Sequence, residues 1–271
     1  MVVLIFSWDC AVQISGMLFY LLILLLTLLV WNIESRFQKW AKYGFFSVFS
    51  YNLMSFLIPL WIFSPGDSAN GLLPARGFRI FCRLLGLKYT LEGKENVNPD
   101  SGGVVLMNHQ SILDLIVICI LRPSIPRCST IAKRSILYVV PLGLALWLCG
   151  TIFIDRKSPS KSQVTLNKTA KLINKKQARV LIFPEGTRNG GPKLLPFKKG
   201  AFHLAIAAQC SIQPVAVSRF TFLGKNKFTS GEIRIRILPA ISTKNLTTED
   251  IPRLIEETYQ LMSKTVNEIT Q

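Results

Sequence analysis

Apolar positions follow two regimes along this chain. Up to about residue 70 they run together, and beyond it they recur with the periods of strands and helices. Residues 11–31 carry no charge and are long enough to cross a bilayer. A signal peptide fits less well, because no basic segment precedes the run and its apolar core is long. A linker over 32–42 follows, with Arg36, Lys39 and Lys42, and with Trp31 and Trp40 as interfacial anchors. The second run, 43–63, contains Asn52 and Pro59 and is read as spanning, re-entrant or lying in the membrane plane. One span or a shallow hairpin leaves the positive charge on the cytosolic side, as the positive-inside rule asks. The expected division is a membrane anchor over 1–70 and a cytosolic-facing domain over 71–271.

After the turn-rich stretch that starts at Ser64, residues 73–85 read as a basic amphipathic helix on the membrane surface. Strand patterns are then predicted over 88–92, 104–107, 151–155, 179–183, 212–217 and 232–238. Helices are predicted near 111–121, 133–148, 161–177 and 200–209. This alternation predicts an α/β fold with a mixed, largely parallel sheet flanked by helices. The uncharged run 136–154 would pass a hydropathy test for a span. Pro141, Gly143 and Gly150 argue instead for a buried helix leading into a core strand. The tail predicts an amphipathic helix capped by Thr248, with Ile251, Leu254, Ile255, Leu261 and Ile269 facing inward.

Charge sharpens the picture. There are 32 Lys and Arg against 15 Asp and Glu, a net +17, which asks for a polyanionic partner. The long apolar runs favour a membrane bearing phosphate ligands over nucleic acid, and no basic stripe interleaved with aromatics is present. Six cysteines (Cys10, Cys82, Cys119, Cys128, Cys149 and Cys210) are scattered without a C-x-x-C pair. They read as small buried hydrophobes in a reducing compartment.

The candidate chemistry begins at a polar break between the strand 104–107 and the helix after it. His109 sits there, and Asp114 lies five positions on, a little over one helical turn. Asp114 can curl back to one ring nitrogen and fix the tautomer, leaving the other nitrogen a free base. The positive end of the helix disfavours imidazolium as well. A capping His with a surface Asp is the plainer alternative. The second constellation is Phe183-Pro184-Glu185-Gly186-Thr187-Arg188, at the end of the strand 179–183. Its glycine permits a tight turn, and Arg188 suits bidentate phosphate binding. Glu185 either holds Arg188 in place or binds a substrate hydroxyl. Taken alone, Glu185–Arg188 reads first as a turn with a surface ion pair. Lys199 and Gly200 open a helix and suit another anion contact. Lys133 and Arg134 open a further predicted helix, Arg156 closes a strand, and His203 reads as a packed helical residue. Metal-ligand spacing is absent, and no metal or cofactor is expected.

The segments NHQSILD, GTIFIDR, FPEGTR and IQPVAV, in this order, resemble the four blocks of the glycerolipid acyltransferase superfamily. AKRSILY, LPFKKGAFHLA and FTSGEIRIRILP are similar to animal 1-acyl-sn-glycerol-3-phosphate acyltransferases of the alpha type. The likeness covers roughly residues 70–271. It implies the glycerolipid acyltransferase fold and transfer of an acyl group from acyl-CoA to the sn-2 hydroxyl of lysophosphatidic acid, at the endoplasmic reticulum membrane. By the same resemblance His109 is the general base and Asp114 orients it. Glu185, Gly186, Thr187 and Arg188 bind the acyl acceptor, and Lys133 or Arg134 assists; Arg156 and Lys199 are further substrate-binding candidates. The expected partners are acyl-CoA, lysophosphatidic acid and the lipid bilayer, with no nucleic acid. Three rivals stay open: another acceptor such as glycerol-3-phosphate or another lysophospholipid, a non-catalytic basic membrane-surface or nucleic-acid-binding protein, and a covalent route through Ser111 or a cysteine.

Overall fold

A computed structural model of the chain describes residues 35–155 and 159–271. The first predicted span, 11–31, and Arg156 lie outside these residues. The chain packs as two units, one formed by residues up to Asn52 with Phe222–Ser230, the other by Leu53–Thr221 with Gly231–Gln271.

Helix α1, Ser35–Trp61, begins inside the stretch expected to be a linker. Within the first unit, Lys39 Nζ donates to the carbonyls of Gly224 (2.7 Å) and Lys225 (2.9 Å). Lys42 is buried, and its Nζ donates to the Phe228 carbonyl at 2.8 Å. These lysines therefore cap loop carbonyls from a helix, where the sequence reading placed them in a linker. Among the described residues, Gln38–Trp61 is long and apolar enough to cross a membrane.

The second unit is built on a sheet of seven strands: β1 Leu87–Glu92, β2 Gly103–Met107, β3 Cys128–Lys133, β4 Ile152–Ile154, β5 Arg179–Ile182, β6 Ser211–Val217 and β7 Gly231–Ile237. Their order is β1-β7-β6-β2-β5-β3-β4. All neighbours are parallel except β6 and β7. The mixed, largely parallel sheet read from the sequence is the fold observed. Strand β3 went unread because its apolar positions are interrupted by Ser129 and Thr130.

Every residue of β2 is buried, so both faces of the sheet centre are covered. Val104, Leu106, Val180, Ile212 and Ala216 share one core with α6 (Gly200–Ala208) and the C-terminal helix α7 (Ile251–Thr270). Helix α5, Pro159–Lys176, adds Ala170 and Ile173 to it. Alternate strand positions point to the other face, where α2 (Leu72–Leu84) packs against α3 (Asp114–Leu121). In α6, His203 and Ala207 recur at helical spacing on the solvent side. His203 is exposed, which corrects the packed position expected for it.

The run 133–148 is not one buried helix. A 3₁₀ turn, Arg134–Tyr138, leads to a separate short helix α4, Leu142–Leu148. Pro141 supplies no N–H, and the residue before a proline is biased away from helical backbone. Only part of this region is buried: Ala145 and Leu148 lie in a core, while Tyr138, Val140 and Trp147 are 68%, 72% and 47% exposed.

At the tail, Thr247, one residue before the expected cap, closes a capping box. Its hydroxyl accepts from the Glu249 N–H, and Asp250 Oδ2 accepts from the Thr247 N–H at 2.9 Å. Ile251, Leu254 and Ile269 are buried as expected, while Ile255 and Leu261 are half-buried. Thr247→Ala is expected to cost about 1 kcal/mol in denaturant unfolding, and Thr248→Ala close to nothing. The reverse order would return the cap to Thr248.

Candidate active site

The strands β6, β2, β5, β3 and β4 run parallel, so their carboxyl ends share one edge of the sheet. Open α/β sheets bind ligands along that edge. His109, Lys133, Glu185 and Arg219 all lie within three residues of a strand end there. Clefts of about 240 Å³, one lined by Asn98, Gly103, Arg179 and Ser211, open at the opposite edge and hold none of these residues.

The polar break after β2 is organised by its own side chains. Asn108 is fully buried, and its amide extends the β2–β6 ladder by one rung. Nδ2 donates to the Val217 carbonyl at 3.0 Å, and Oδ1 accepts from the Val217 N–H at 2.8 Å. Gln110 Nε2 donates to the Ser218 carbonyl at 2.9 Å. The two side chains hold the segment on either side of His109, so the histidine is fixed before its ring makes any contact.

His109 Nδ1 lies 2.6 Å from Asp114 Oδ2. A carboxylate oxygen accepts, so Nδ1 carries the proton and Nε2 presents its lone pair. The same Oδ2 accepts from the N–H groups of Gln110 (2.7 Å) and Ser111 (3.0 Å). The chain wraps a turn around the carboxylate, and α3 therefore starts at Asp114, later than the expected residue 111. The N–H groups of Gln110 and Ser111 are consequently engaged with Asp114. The imidazole stacks on Phe183, centroids 3.8 Å apart at 19°. It is 18% exposed, against 3% for Asp114, which leaves the ring reachable and its partner dry.

Glu185 is 1% exposed, and both its oxygens are occupied by backbone. Oε1 accepts from the His109 N–H and Oε2 from the Leu195 N–H, each at 2.8 Å. This geometry gives Glu185 a role other than the two read from sequence, holding Arg188 or binding a substrate hydroxyl. The group held is the backbone of His109 and of the loop after β5. Gly186 has φ +71°, a left-handed conformation, and a Cβ there would come within 2.8 Å of the Lys198 side chain. Thr187 and Arg188 are exposed, and the N–H of the next residue, Asn189, donates to the His109 carbonyl at 2.8 Å. His109 and the Arg188–Asn189 peptide are thus neighbours, although 80 positions separate them.

Lys133 is exposed at the end of β3, and Arg134 opens the 3₁₀ turn, where its guanidinium meets the Tyr138 hydroxyl. Lys199 is exposed at the start of α6. Phe183 and Asn108 stood within the quoted segments but were given no role from sequence, and Asn189 was not singled out. Asn108, directly before the histidine, carried the clearest signal.

Among the described residues, the covalent cysteine reading finds no reactive thiol. Cys119 and Cys149 are buried, and burial pushes both thiols up to about 12, far from the thiolate a nucleophile requires. Burial raises Cys82 and Cys210 to about 11 in the same way.

Glu185→Gln keeps one backbone acceptor and turns an NH₂ toward the other N–H. The expected result is a loss of about 1–3 kcal/mol in unfolding free energy. Unchanged stability with only a weakened response to substrate would return Glu185 to the ligand.

Comparison with known proteins agrees with this geometry. An acyltransferase family model matches residues 88–218. Human 1-acyl-sn-glycerol-3-phosphate acyltransferase alpha is 40% identical over 190 residues, 69% of this chain and 66% of the relative. The match thus spans just under two thirds of that protein's length. The human beta protein is 32% identical over 253 residues, 92% of this chain and 90% of its own. The crystal structure of the 1-acyl-sn-glycerophosphate (LPA) acyltransferase PlsC from Thermotoga maritima shares the fold. Its TM-score is 0.66 at 20% identity, covering 84% of this chain and 92% of that one. By its likeness to these relatives, and with a histidine held by a buried aspartate at the sheet's carboxyl edge, the chain belongs to the 1-acyl-sn-glycerol-3-phosphate acyltransferase family.

Proposed function

We propose that this protein transfers an acyl group from acyl-CoA to the sn-2 hydroxyl of lysophosphatidic acid, forming phosphatidic acid. The observation that carries the reading is the His109–Asp114 pair at 2.6 Å, with the ring partly exposed and its partner buried. His109 Nε2 takes the proton of the acceptor hydroxyl as its oxygen attacks the thioester carbon. The C–O bond forms, the C–S bond breaks, and the proton on His109 passes to the departing thiolate. Asp114 holds the ring and stabilises the imidazolium that forms between these steps. The engaged N–H groups of Gln110 and Ser111 do not serve the developing oxyanion, which leaves that work to other donors along the same edge.

Arg188, exposed beside His109, binds the acceptor's phosphate and so brings the hydroxyl to the base. Gly186 and Thr187 shape that approach, and Glu185 fixes it from below. Lys133, Arg134 and Lys199 belong to the surrounding positive field that draws in phosphate-bearing substrates. The N-terminal residues to about 70 form the membrane anchor. The domain faces the cytosol at the endoplasmic reticulum, where both lipid and acyl donor are reached. Helix Gln38–Trp61 supports the membrane part of this reading.

Thioester cleavage by membranes carrying the protein tests the proposal directly. His109→Ala is expected to lower transfer about 10²–10⁴-fold, with expression and unfolding near normal. Asp114→Asn should be similarly severe. Full activity in either variant removes the base assignment. On a panel of acceptors, lysophosphatidic acid should be preferred over glycerol-3-phosphate and over lysophospholipids with larger headgroups; another preference replaces the acceptor. Arg188→Lys keeps the charge but loses the planar fork. A raised KM for lysophosphatidic acid is expected, and a change confined to the KM of acyl-CoA would assign Arg188 to the donor.

A further inference from the structure

Arg219 stands two residues beyond β6 and has no part in the transfer step. Its N–H donates to Thr270 Oγ1 in the last turn of α7 at 3.0 Å. Its Nη1 donates to the Asn189 carbonyl at 3.2 Å. Asn189 is the residue whose own N–H bonds the His109 carbonyl. Its side chain closes the same loop, with Nδ2 donating to the Lys193 carbonyl at 2.6 Å and Oδ1 accepting from the Gly191 N–H at 3.0 Å. The guanidinium therefore grips one side of a residue whose other side touches the catalytic histidine.

The remainder of that guanidinium is costly. Nε and Nη2 are shut off from water and meet no acceptor among the described residues. Burial pulls the group below the usual guanidinium range, opposed by the attraction of Glu185 and Tyr259. A side chain kept only for packing would be better served by an apolar one of similar length, because unfilled buried donors penalise folding. Arg219 meets this cost while bonding the loop at Asn189 and facing the carboxylate that holds the His109 N–H. What it secures is the placement of that loop.

We propose that Arg219 is a positioning residue that, through Asn189, sets the spacing between Arg188 and His109 and thereby the acceptor's fit. This rests on the assignment of Arg188 and His109 given above. It predicts that losing Arg219 alters use of the acceptor and not of the acyl donor.

Steady-state kinetics of the full-length protein in membranes, for wild type, Arg219→Met and Arg219→Lys, test it. Methionine preserves length and removes the unfilled donors, so the unfolding temperature should hold or rise. Its kcat/KM for lysophosphatidic acid should fall about 10–100-fold, the scale of a misplaced reacting group, with KM for acyl-CoA within about twofold. Lysine, which keeps the charge and one donor, should recover part of the loss. Wild-type acceptor kinetics in Arg219→Met overturn the proposal. So does a loss shared equally by both substrates and tracking the folded fraction, which marks a structural role alone. If Arg219→Met fails to fold, unchanged acceptor KM in a folded Arg219→Lys overturns it equally. Wild-type protein inert toward lysophosphatidic acid would instead sink the functional reading, a result separate from these.

Discussion

A single carboxylate oxygen sets the geometry from which the site follows. Asp114 Oδ2 gathers three hydrogens, from the imidazole and from two successive backbone N–H groups. The two backbone bonds fix where the oxygen stands, and the third tells the ring where to point. Because the same turn ends on the first residue of α3, the start of the helix and the orientation of the base are one event. The buried helix behind it, with Ile116 and Val117 in the core, anchors the turn to the sheet. A shift of this carboxylate would move the histidine and the helix together.

The second layer of organisation is bought by burying polar groups in pairs. Asn108, Gln110 and Glu185 are all buried, and each is matched to backbone groups that would otherwise be left open where strands end. Buried amides and carboxylates matched in this way add direction to a core that hydrophobic contact alone leaves undirected. Apolar packing determines that β2, β5 and β6 lie side by side. The side-chain bonds past their ends determine how three separate loops meet. The exposed members, Thr187 and Arg188, stand on top of this matched layer.

Much of this was legible in the chain. Apolar runs bounded by polar breaks marked six of the seven strands, and the His109-to-Asp114 spacing marked the pair that meets. Legibility failed where local pattern and tertiary demand part company. The run 133–148 looks like one buried helix by composition, but Pro141 divides it, and Tyr138, Val140 and Trp147 face outward while Ala145 and Leu148 are buried. Lys42 looks like a linker residue, yet it reaches a loop carbonyl 186 positions away. Glu185 beside Arg188 suggests an ion pair, and only the folded chain brings the N–H groups of His109 and Leu195 to its oxygens. Arg219 offered no signal, since an arginine just past a strand is ordinarily a surface residue.

The stacking of Phe183 on His109 makes the imidazole one-sided. With one face covered at 3.8 Å and Nδ1 committed to Asp114, traffic reaches the ring along its Nε2 edge or over the uncovered face. An alcohol can approach in the ring plane, where the lone pair lies, but a second reactant cannot be held beneath the ring. On the proposed transfer, the thioester would therefore arrive on the far side of that alcohol. The order in space would be imidazole, hydroxyl, carbonyl, and a water molecule competing for the carbonyl would have to enter the same narrow sector as the acceptor.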